Sequence, residues 1–165
     1  MRKREFYPIR DNLYAAILLV LLTENAAADI QGKVIRVLDG DTIEVLQITN
    51  QRSRIRLNGI DAPEKNQGFG QRSRQYLKDQ LALKMVTITG DKTDRYGRLL
   101  GTVWLVGQDI NAEQVRNGMA WAYRYHGKPV NAEYETLEKN ARVQKLGLWS
   151  EPNPVEPWRW RQVNN

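Results

Sequence analysis

The chain has 165 residues, with 25 Lys and Arg against 19 Asp and Glu, a net charge of +6. This length predicts one domain that buries a hydrophobic core of its own. The sequence contains no cysteine and a single histidine, His126, which excludes disulfides, cysteine nucleophiles and histidine-rich metal sites. Any bound metal would be held mainly by oxygen, as Ca²⁺ and Mg²⁺ are. The positive charge fits either a polyanionic partner or an ordinary basic surface.

The first 28 residues have the three-part pattern of a secretory signal peptide. A basic segment precedes an apolar run over 13–22, and the small residues 26–28 predict cleavage after Ala28. The run is shorter than the roughly 20 residues that a membrane-spanning helix needs. We therefore expect a secreted or periplasmic protein without stable membrane association after cleavage. The alternative is an uncleaved anchor or a helix packed on the domain.

Three strands are predicted at the start of the mature chain. Apolar and polar residues alternate over 30–38, and β-branched residues predominate over 42–48. Residues 39–41 form the turn between these strands, and a hairpin at 49–52 leads to a third strand over 53–57.

Periodicity then changes from that of a strand to that of a helix. Apolar residues at near-helical spacing predict a helix over 71–83, followed by strands over 85–89 and 99–106.

Two further helices are predicted from capping residues. Asn111 is a candidate N-cap, with Gln114 placed to complete a capping box, and Gly118 is expected to end this short helix. Asn131 is the candidate N-cap of the last helix, which Gly147 is expected to end.

Five short, mostly antiparallel strands with inserted helices fit a small closed barrel. The predicted fold is therefore a five-stranded OB-fold barrel with three α-helices. The predicted organisation is a leader over 1–28, a domain over 29–150 and a tail over 151–165. The tail is rich in proline and is predicted to lie extended on the surface.

Within the tail, Trp158-Arg159-Trp160-Arg161 alternates indoles and guanidinium groups. Such a segment could stack bases and hold phosphates, each stacked base contributing roughly 1–3 kcal/mol. The alternative is a tail that folds back with its indoles packed against the barrel.

Two aspartates are the candidate ligands of a hard cation. Asp41 and Asp61 lie at the ends of strands that should be neighbours, so their carboxylates could share one ion. Backbone carbonyls and waters commonly complete such a site, and the carbonyl of Ala62 follows Asp61 directly. Taken alone, the Asp-Gly-Asp-Thr stretch at 39–42 is more often a turn than a ligand pair.

The remaining candidates fit the hydrolysis of a phosphodiester, which needs an aligned water and neutralisation of charge on the phosphorus oxygens. Glu64 is the candidate general base, and Pro63 restricts the backbone that carries it. Arg56 and Arg98 each offer a planar fork of donors to phosphate oxygens. His126 is expected to have no catalytic role.

Together these stretches resemble the staphylococcal (micrococcal, thermostable) nuclease family, over about residues 30–150. The matching segments are Val37–Thr42, Arg56–Leu57, Asp61–Glu64, Thr93–Arg98, Gly118–Ala120 with Tyr123 and Tyr125, and Leu146–Ser150.

The resemblance implies an OB-fold barrel and a Ca²⁺-dependent phosphodiesterase that cuts DNA and RNA endonucleolytically. It also implies cleavage of the P–O5′ bond, which leaves 3′-phosphates. By position, Asp41, Asp61 and the carbonyl of Ala62 would bind Ca²⁺. We expect a monomer.

The same resemblance makes Arg56, Glu64 and Arg98 the catalytic trio. Tyr96 and Tyr123 would contact the terminal phosphate or the nucleotide, and Tyr125 would lie near a base.

Two rival functions follow from the same fold. One is a non-catalytic OB-fold module that binds nucleic acid, and the other is a protein-interaction domain derived from a nuclease. Neither has a use for two metal-type aspartates, a glutamate and two arginines together, so these five residues favour an enzyme.

Overall fold

The computed structural model describes residues 29–164 of the chain. Within this range the chain forms ten strands, four α-helices and one short 3₁₀ helix at Gly147–Ser150. The strands are β1 (Ile30–Asp39), β2 (Thr42–Gln47), β3 (Arg52–Leu57), β4 (Ile60–Asp61), β5 (Met85–Thr93), β6 (Leu99–Leu105), β7 (Gln108–Asp109), β8 (Trp121–Ala122), β9 (Arg124–Tyr125) and β10 (Lys128–Pro129). The helices are α1 (Gly70–Leu81), α2 (Ile110–Arg116), α3 (Ala132–Val143) and α4 (Pro157–Asn164).

Five of these strands close into a barrel, which confirms the predicted OB-fold. Antiparallel pairing joins β3 to β2, β2 to β1, β1 to β5 and β5 to β6. The barrel closes where β3 runs parallel to β6, with Ile55 opposite Leu99. All five predicted strands are present. The fourth runs on to Thr93, because a register shift between Thr89 and Lys92 lets pairing with β6 continue.

The barrel interior is filled by β-branched and leucine side chains. Ile43, Ile55 and Ile88 have no exposed surface and belong to one continuous core. Helix α1 adds Leu77 and Leu81 to this core, as its predicted apolar face requires. The barrel is therefore packed with side chains, and binding sites must lie on its outer surface.

The predicted cap of α2 was wrong. Asp109 is the N-cap, and its carboxylate accepts a hydrogen bond of 2.9 Å from the Ala112 amide. Asn111 lies inside the first turn because the helix begins at Ile110, one residue before it. Gln114 lies in the protein interior, where its amide donates to the carbonyl of Gly40 at 2.6 Å, so no capping box forms.

The buried Asn111 instead connects three backbone segments. Its Oδ1 accepts from the Val103 amide at 3.1 Å, and its Nδ2 donates to the carbonyls of Asn58 and Gly101 at 3.0 Å each. The Asn58 turn leads from β3 into β4, so Asn111 ties α2 to the segment that carries Asp61.

Asn131 caps α3 as predicted, accepting from the Tyr134 amide at 3.1 Å. The helix ends at Val143, earlier than predicted, because Lys145 adopts a left-handed conformation with φ of 52°. Gly147 is also left-handed and begins the 3₁₀ helix. Gly118, with φ of 67°, follows the end of α2 as predicted.

The prediction of an extended tail was wrong, because the tail ends in α4. Pro157 occupies the first position of this helix, where its fixed φ is compatible and its missing N–H is not needed. Trp158 packs edge-on against Trp121, with ring centroids 5.6 Å apart. The structure thus has four α-helices within residues 29–164, one more than predicted.

No helix between residues 29 and 164 combines the length and the hydropathy needed to cross a bilayer. The predicted leader over 1–28 lies outside the described residues.

Candidate active site

A cleft of about 780 Å³ lies beside β3 and β4. Its walls come from the turn after β1, from β3, from the segment after β4, from the loop before β6 and from α4. The lining residues are Asp39, Asp41, Arg54, Arg56, Asp61, Ala62, Pro63, Glu64, Arg95, Tyr96, Arg98, Tyr123, Trp158, Arg161 and Gln162. Every predicted site residue except Tyr125 is in this set.

Arg56 connects the two candidate metal ligands. Its Nη2 lies 3.0 Å from Asp41 Oδ2 and 3.0 Å from Asp61 Oδ1. Its Nη1 donates to the carbonyls of Leu57 and Ile60 at 2.9 Å each. These carbonyls lie on either side of the turn between β3 and β4, so the backbone holds the guanidinium in place. Only 15% of the Arg56 side chain is exposed.

Asp41 also contacts the segment that follows Asp61. Its Oδ2 accepts a 2.7 Å hydrogen bond from the Ala62 amide, and its Oδ1 accepts from the Thr42 hydroxyl at 3.1 Å. This contact spans 21 residues of sequence and brings Asp41, Asp61 and Ala62 together.

Burial makes the carboxylates of Asp39 and Asp61 costly to ionise. Burial, reinforced by the charge of Asp41, raises the pKa of Asp39 to about 7. Burial also raises the pKa of Asp61, although the hydrogen bonds from Arg161 act in the opposite direction. The side chain of Asp61 is 1% exposed. A cation close to these oxygens would relieve the repulsion and favour the ionised forms.

The donor set fits a hard cation that receives only part of its coordination from side chains. Within residues 29–164, no three His, Asp or Glu side chains converge as a complete metal-binding group. Asp41 and Asp61 nevertheless offer two buried carboxylates, joined by a common contact to Arg56. Ca²⁺ accepts carbonyl and water oxygens in its remaining positions. The predicted ligand set of Asp41, Asp61 and Ala62 is compatible with that chemistry.

Glu64 follows the metal-type segment at the rim of the cleft. Its backbone amide donates to Gln67 Oε1 at 3.1 Å, which holds the start of the following turn. Its carboxylate is 35% exposed and lies 2.6 Å from Arg161 Nη1. Glu64 is thus the most accessible carboxylate among the predicted site residues.

Arg98 is held within its own loop. Its Nε and Nη2 both lie 2.8 Å from Asp94 Oδ2. Asp94 Oδ1 accepts from the amides of Tyr96 and Arg98, at 2.9 and 3.0 Å. Slight burial alone would raise the pKa of Asp94, but the hydrogen bonds of Arg98 and Tyr96 outweigh it and lower the pKa.

The three predicted substrate tyrosines have different environments. Tyr96 and Tyr123 line the cleft, and the guanidinium of Arg98 lies 5.3 Å from the Tyr96 ring centroid. Tyr125 lies outside the cleft, exposed, with its ring 4.1 Å from that of His126. Nothing in the described geometry brings Tyr125 to the other predicted residues.

Arg161 was identified from the sequence only as part of a tail segment, and its contacts with the candidate site were not predicted. Its Nη2 lies 2.8 Å from Asp61 Oδ2, and its Nη1 lies 3.2 Å from Asp61 Oδ1 and 2.6 Å from Glu64 Oε1. Burial alone would lower the pKa of Arg161, but its hydrogen bonds and charge interactions with Asp61 and Glu64 raise it.

The alternation of indoles and guanidinium groups in the tail indicated a possible binding segment, but it did not predict where in the fold this segment lies. Trp158 supports the alternative of indoles packed on the domain, although it also lines the cleft. Arg159 is 69% exposed and pairs with Glu156. Arg161, two residues further along the same helix, instead faces the cleft and contacts the carboxylates of Asp61 and Glu64.

Comparison with known proteins agrees with this site. A protein-family profile described as Staphylococcal nuclease homologue matches residues 54–151, more than half of the chain. The chain belongs to the staphylococcal nuclease homologue family. The match includes Arg56, Asp61, Glu64 and Arg98, and it ends before α4.

Several relatives are similar over most of their length. A micrococcal nuclease of Shigella flexneri is 48% identical over 159 residues, which is 91% of each chain. An uncharacterized endonuclease of Escherichia coli O157:H7 is 50% identical over 136 residues, covering 81% of this chain and 86% of that protein. Protein ParB of Escherichia coli is 43% identical over 174 residues, covering 100% of this chain and 97% of ParB. These relatives support membership of a nuclease family.

Proposed function

We propose that the chain is a Ca²⁺-dependent nuclease that hydrolyses phosphodiester bonds of DNA and RNA and leaves 3′-phosphate ends. The observation that carries this proposal is the joint contact of Arg56 with Asp41 and Asp61, in the cleft that also contains Glu64 and Arg98. A protein that only bound nucleic acid would gain little from burying two aspartates against an arginine at such a surface.

Asp41, Asp61 and the backbone carbonyl of Ala62 are the groups that would hold the cation. Bound there, Ca²⁺ would supply positive charge to the phosphate and to its attacking water. The raised pKa values of Asp39 and Asp61 support this assignment, because both follow from burial of negative charge that a cation would offset.

Glu64 would act as the general base. Its carboxylate is 35% exposed at the cleft, so a water molecule can reach it. Glu64 would remove a proton from the water that attacks the phosphorus atom, and the P–O5′ bond would break. The leaving O5′ would take up a proton from solvent water, so that a 3′-phosphate and a 5′-hydroxyl result. General base catalysis typically contributes about 10²–10⁴-fold to the rate.

Arg56 and Arg98 would stabilise the charge that gathers on the phosphorus oxygens. Arg56 is pre-oriented by the carbonyls of Leu57 and Ile60. Arg98 is positioned by Asp94 and by the adjacent ring of Tyr96.

The tyrosines would contribute binding rather than chemistry. Tyr96 and Tyr123 are placed to contact a phosphate or nucleotide in the cleft. A base-contacting role for Tyr125 would need a nucleotide that extends beyond the cleft.

The protein would act after export. A secreted or periplasmic location supports the choice of metal, because extracellular calcium modules commonly bind at roughly 10⁻⁴–10⁻³ M. N-terminal sequencing of the exported protein should give Asp29 as the first residue, whereas a retained Met1 would contradict cleavage.

The deciding experiment uses plasmid DNA and RNA incubated with the chain in Ca²⁺, in Mg²⁺ and in chelator, followed by analysis of the product ends. Degradation that requires Ca²⁺ and leaves 3′-phosphates is the expected result. Retardation without cleavage in every condition would favour the nucleic-acid-binding module instead.

The variant Glu64→Gln tests the assigned base. Turnover should fall by about 10²–10⁴-fold, with the thermal unfolding temperature unchanged within a few degrees. The matched control is Glu133→Gln, an exposed glutamate in the first turn of α3. Near-normal cleavage by Glu64→Gln would refute the role of Glu64.

A further inference from the structure

The guanidinium of Arg161 lies on two carboxylates that the proposed function assigns to the metal and to the attacking water. We propose that Arg161 and the divalent cation compete for these oxygens, so that α4 acts as a displaceable latch over the active site. This inference rests on the proposed metal site.

The competition follows from the occupancy of Asp61. Its Oδ1 receives hydrogen bonds from both Arg56 and Arg161, and its Oδ2 receives one from Arg161. An ionised carboxylate has about four acceptor positions, and Arg161 uses two of them. A cation bound to the same oxygens would also meet the positive charge of Arg161 at close range.

Glu64 is affected in the same way. Its Oε1 accepts from Arg161 at 2.6 Å, so the guanidinium occupies an oxygen that would otherwise take the proton of the attacking water. One side chain therefore blocks both the metal ligand and the general base.

The attachment of α4 suits a displaceable element. The helix has eight residues, too few to be stable alone in water. It is held by Trp158 against Trp121, by the buried Pro157 and by a 2.6 Å hydrogen bond from Gln67 Nε2 to the carbonyl of Val155 just before the helix. Arg161 lies beyond these anchors, so it can leave the carboxylates while Trp158 stays packed.

Isothermal titration of Ca²⁺ into the full chain tests the latch. Arg161→Gln should bind Ca²⁺ about tenfold more tightly than the wild type, because charge-assisted hydrogen bonds no longer compete. The matched control is Arg159→Gln, which removes the same charge from the same helix but leaves Asp61 and Glu64 untouched. The control should bind Ca²⁺ as the wild type does.

Hydrogen exchange gives a readout that does not depend on catalysis. Saturating Ca²⁺ should speed amide exchange in residues 161–164 of the wild type, and Arg161→Gln should exchange quickly there with or without the ion. Equal Ca²⁺ affinities of Arg161→Gln and wild type would overturn the latch while leaving the nuclease intact. Absence of Ca²⁺ binding in every variant would overturn the latch and the proposed metal together.

A separate observation concerns the outer face of β3. Arg52, Arg54 and Arg56 alternate along the strand and therefore share one face, while Ile55 and Leu57 face the core. Arg52 and Arg54 are exposed, and among residues 29–164 neither forms an ion pair. Within these residues, no ion pair therefore neutralises the charge of either guanidinium.

The row of arginines connects two depressions of the surface. Arg54 lines both the cleft and a neighbouring hollow of about 450 Å³, which Arg52 lines as well. Same-face residues of a strand are spaced roughly 7 Å apart, so the row presents cations at regular steps leading away from Arg56. The geometry points to a phosphate-binding track, on which one nucleic-acid backbone continues beyond the scissile phosphate.

The track is tested by the salt dependence of binding. A single-stranded oligonucleotide of a dozen residues is titrated into the Glu64→Gln protein, with and without Arg52→Gln and Arg54→Gln. Loss of two phosphate contacts should reduce the slope of log K against log salt by about 1.4, since each contact contributes about 0.7 for a single strand.

The matched control is the pair Arg72→Gln and Lys78→Gln, which removes two exposed charges from α1. An equal loss of slope in this control, or an unchanged slope without Arg52 and Arg54, would overturn the track. Failure of the oligonucleotide to bind the Glu64→Gln protein at all would also contradict the proposed function.

Discussion

Arg56 shows how one residue serves both the fold and the site. Two of its contacts are backbone carbonyls on either side of the turn after β3, and two are the carboxylates of Asp41 and Asp61. Because the turn fixes the guanidinium, the charge that would face a phosphate needs little reorganisation. Preorganised donors of this kind are worth most in a site that excludes water.

The raised pKa of Asp39 should make the free energy of unfolding depend on pH. Its pKa is about 7 in the folded chain against an ordinary value of 3.8. Between these values the folded state keeps a proton that the unfolded state releases, so the contribution of Asp39 to stability falls as pH rises from about 4 to 7. In chelator, Asp39→Asn should therefore gain stability over the wild type across this range, by up to about 1.4 kcal/mol per pH unit.

Urea unfolding at several pH values between 4 and 8 measures this difference. Asp91→Asn, at an exposed position of β5, reports what loss of a carboxylate charge does in general. A difference between Asp39→Asn and wild type that stays constant with pH would contradict the raised pKa.

At the scale of elements, α2 and the turn after β3 are joined by one buried side chain. Asn111 bonds the backbone of Val103, Asn58 and Gly101. The turn at Asn58 leads directly to Asp61, so the packing of α2 helps to set the position of a candidate metal ligand. Buried amides with several backbone partners are costly to lose, because each backbone group is then left unsatisfied.

Asn111→Ala should lower the free energy of unfolding by about 3 kcal/mol. Chemical denaturation of both the variant and the exposed control Asn140→Ala, on α3, measures the effect. A loss in Asn111→Ala no larger than that of the control would show that these hydrogen bonds contribute little.

The capping of α2 illustrates why some local predictions failed. Asp109 and Asn111 are both good N-cap residues, and the sequence around them does not say which begins the helix. Pairing of β7 with β6 brings Asp109 to the helix start and Asn111 into the interior. Asn131, by contrast, has no competing cap nearby, and its prediction was confirmed.

At the scale of the whole molecule, the cleft combines charges of both signs from distant parts of the chain. Asp41, Glu64 and Arg98 come from three different loops, and Arg161 follows Asp61 by 100 residues. A bound cation would stabilise all of these segments together, since a ligand that binds only the folded state raises its stability.

Calcium at 100 times its dissociation constant should raise the free energy of unfolding by about 2.7 kcal/mol. Thermal unfolding at increasing Ca²⁺ concentrations measures this stabilisation. Asp61→Asn should lose most of it, because one of the two buried carboxylates no longer carries charge. If Ca²⁺ stabilised Asp61→Asn as much as the wild type, the ion would have to bind elsewhere in the protein.

The sequence by itself determined the barrel and the family, and eight of the nine site residues that it predicted line the cleft. Strand alternation and β-branched composition act locally, so the five strands could be predicted without tertiary information. The motifs around Asp41, Asp61 and Arg98 are also local, so the site residues within them could be predicted from the sequence. Their roles in catalysis and metal binding stay predictions.

Only the tertiary structure decided the placement of Arg161 and the exclusion of Tyr125 from the cleft. The tail sequence did not predict α4, because its prolines favour an extended backbone. Packing of Trp158 against Trp121, which lies far away in the sequence, accompanies the helix in the folded protein. Helix geometry then directs Arg161 to Asp61, a contact between residues 100 positions apart. Long-range contacts of this kind depend on the packing of the finished fold, which local sequence patterns do not encode.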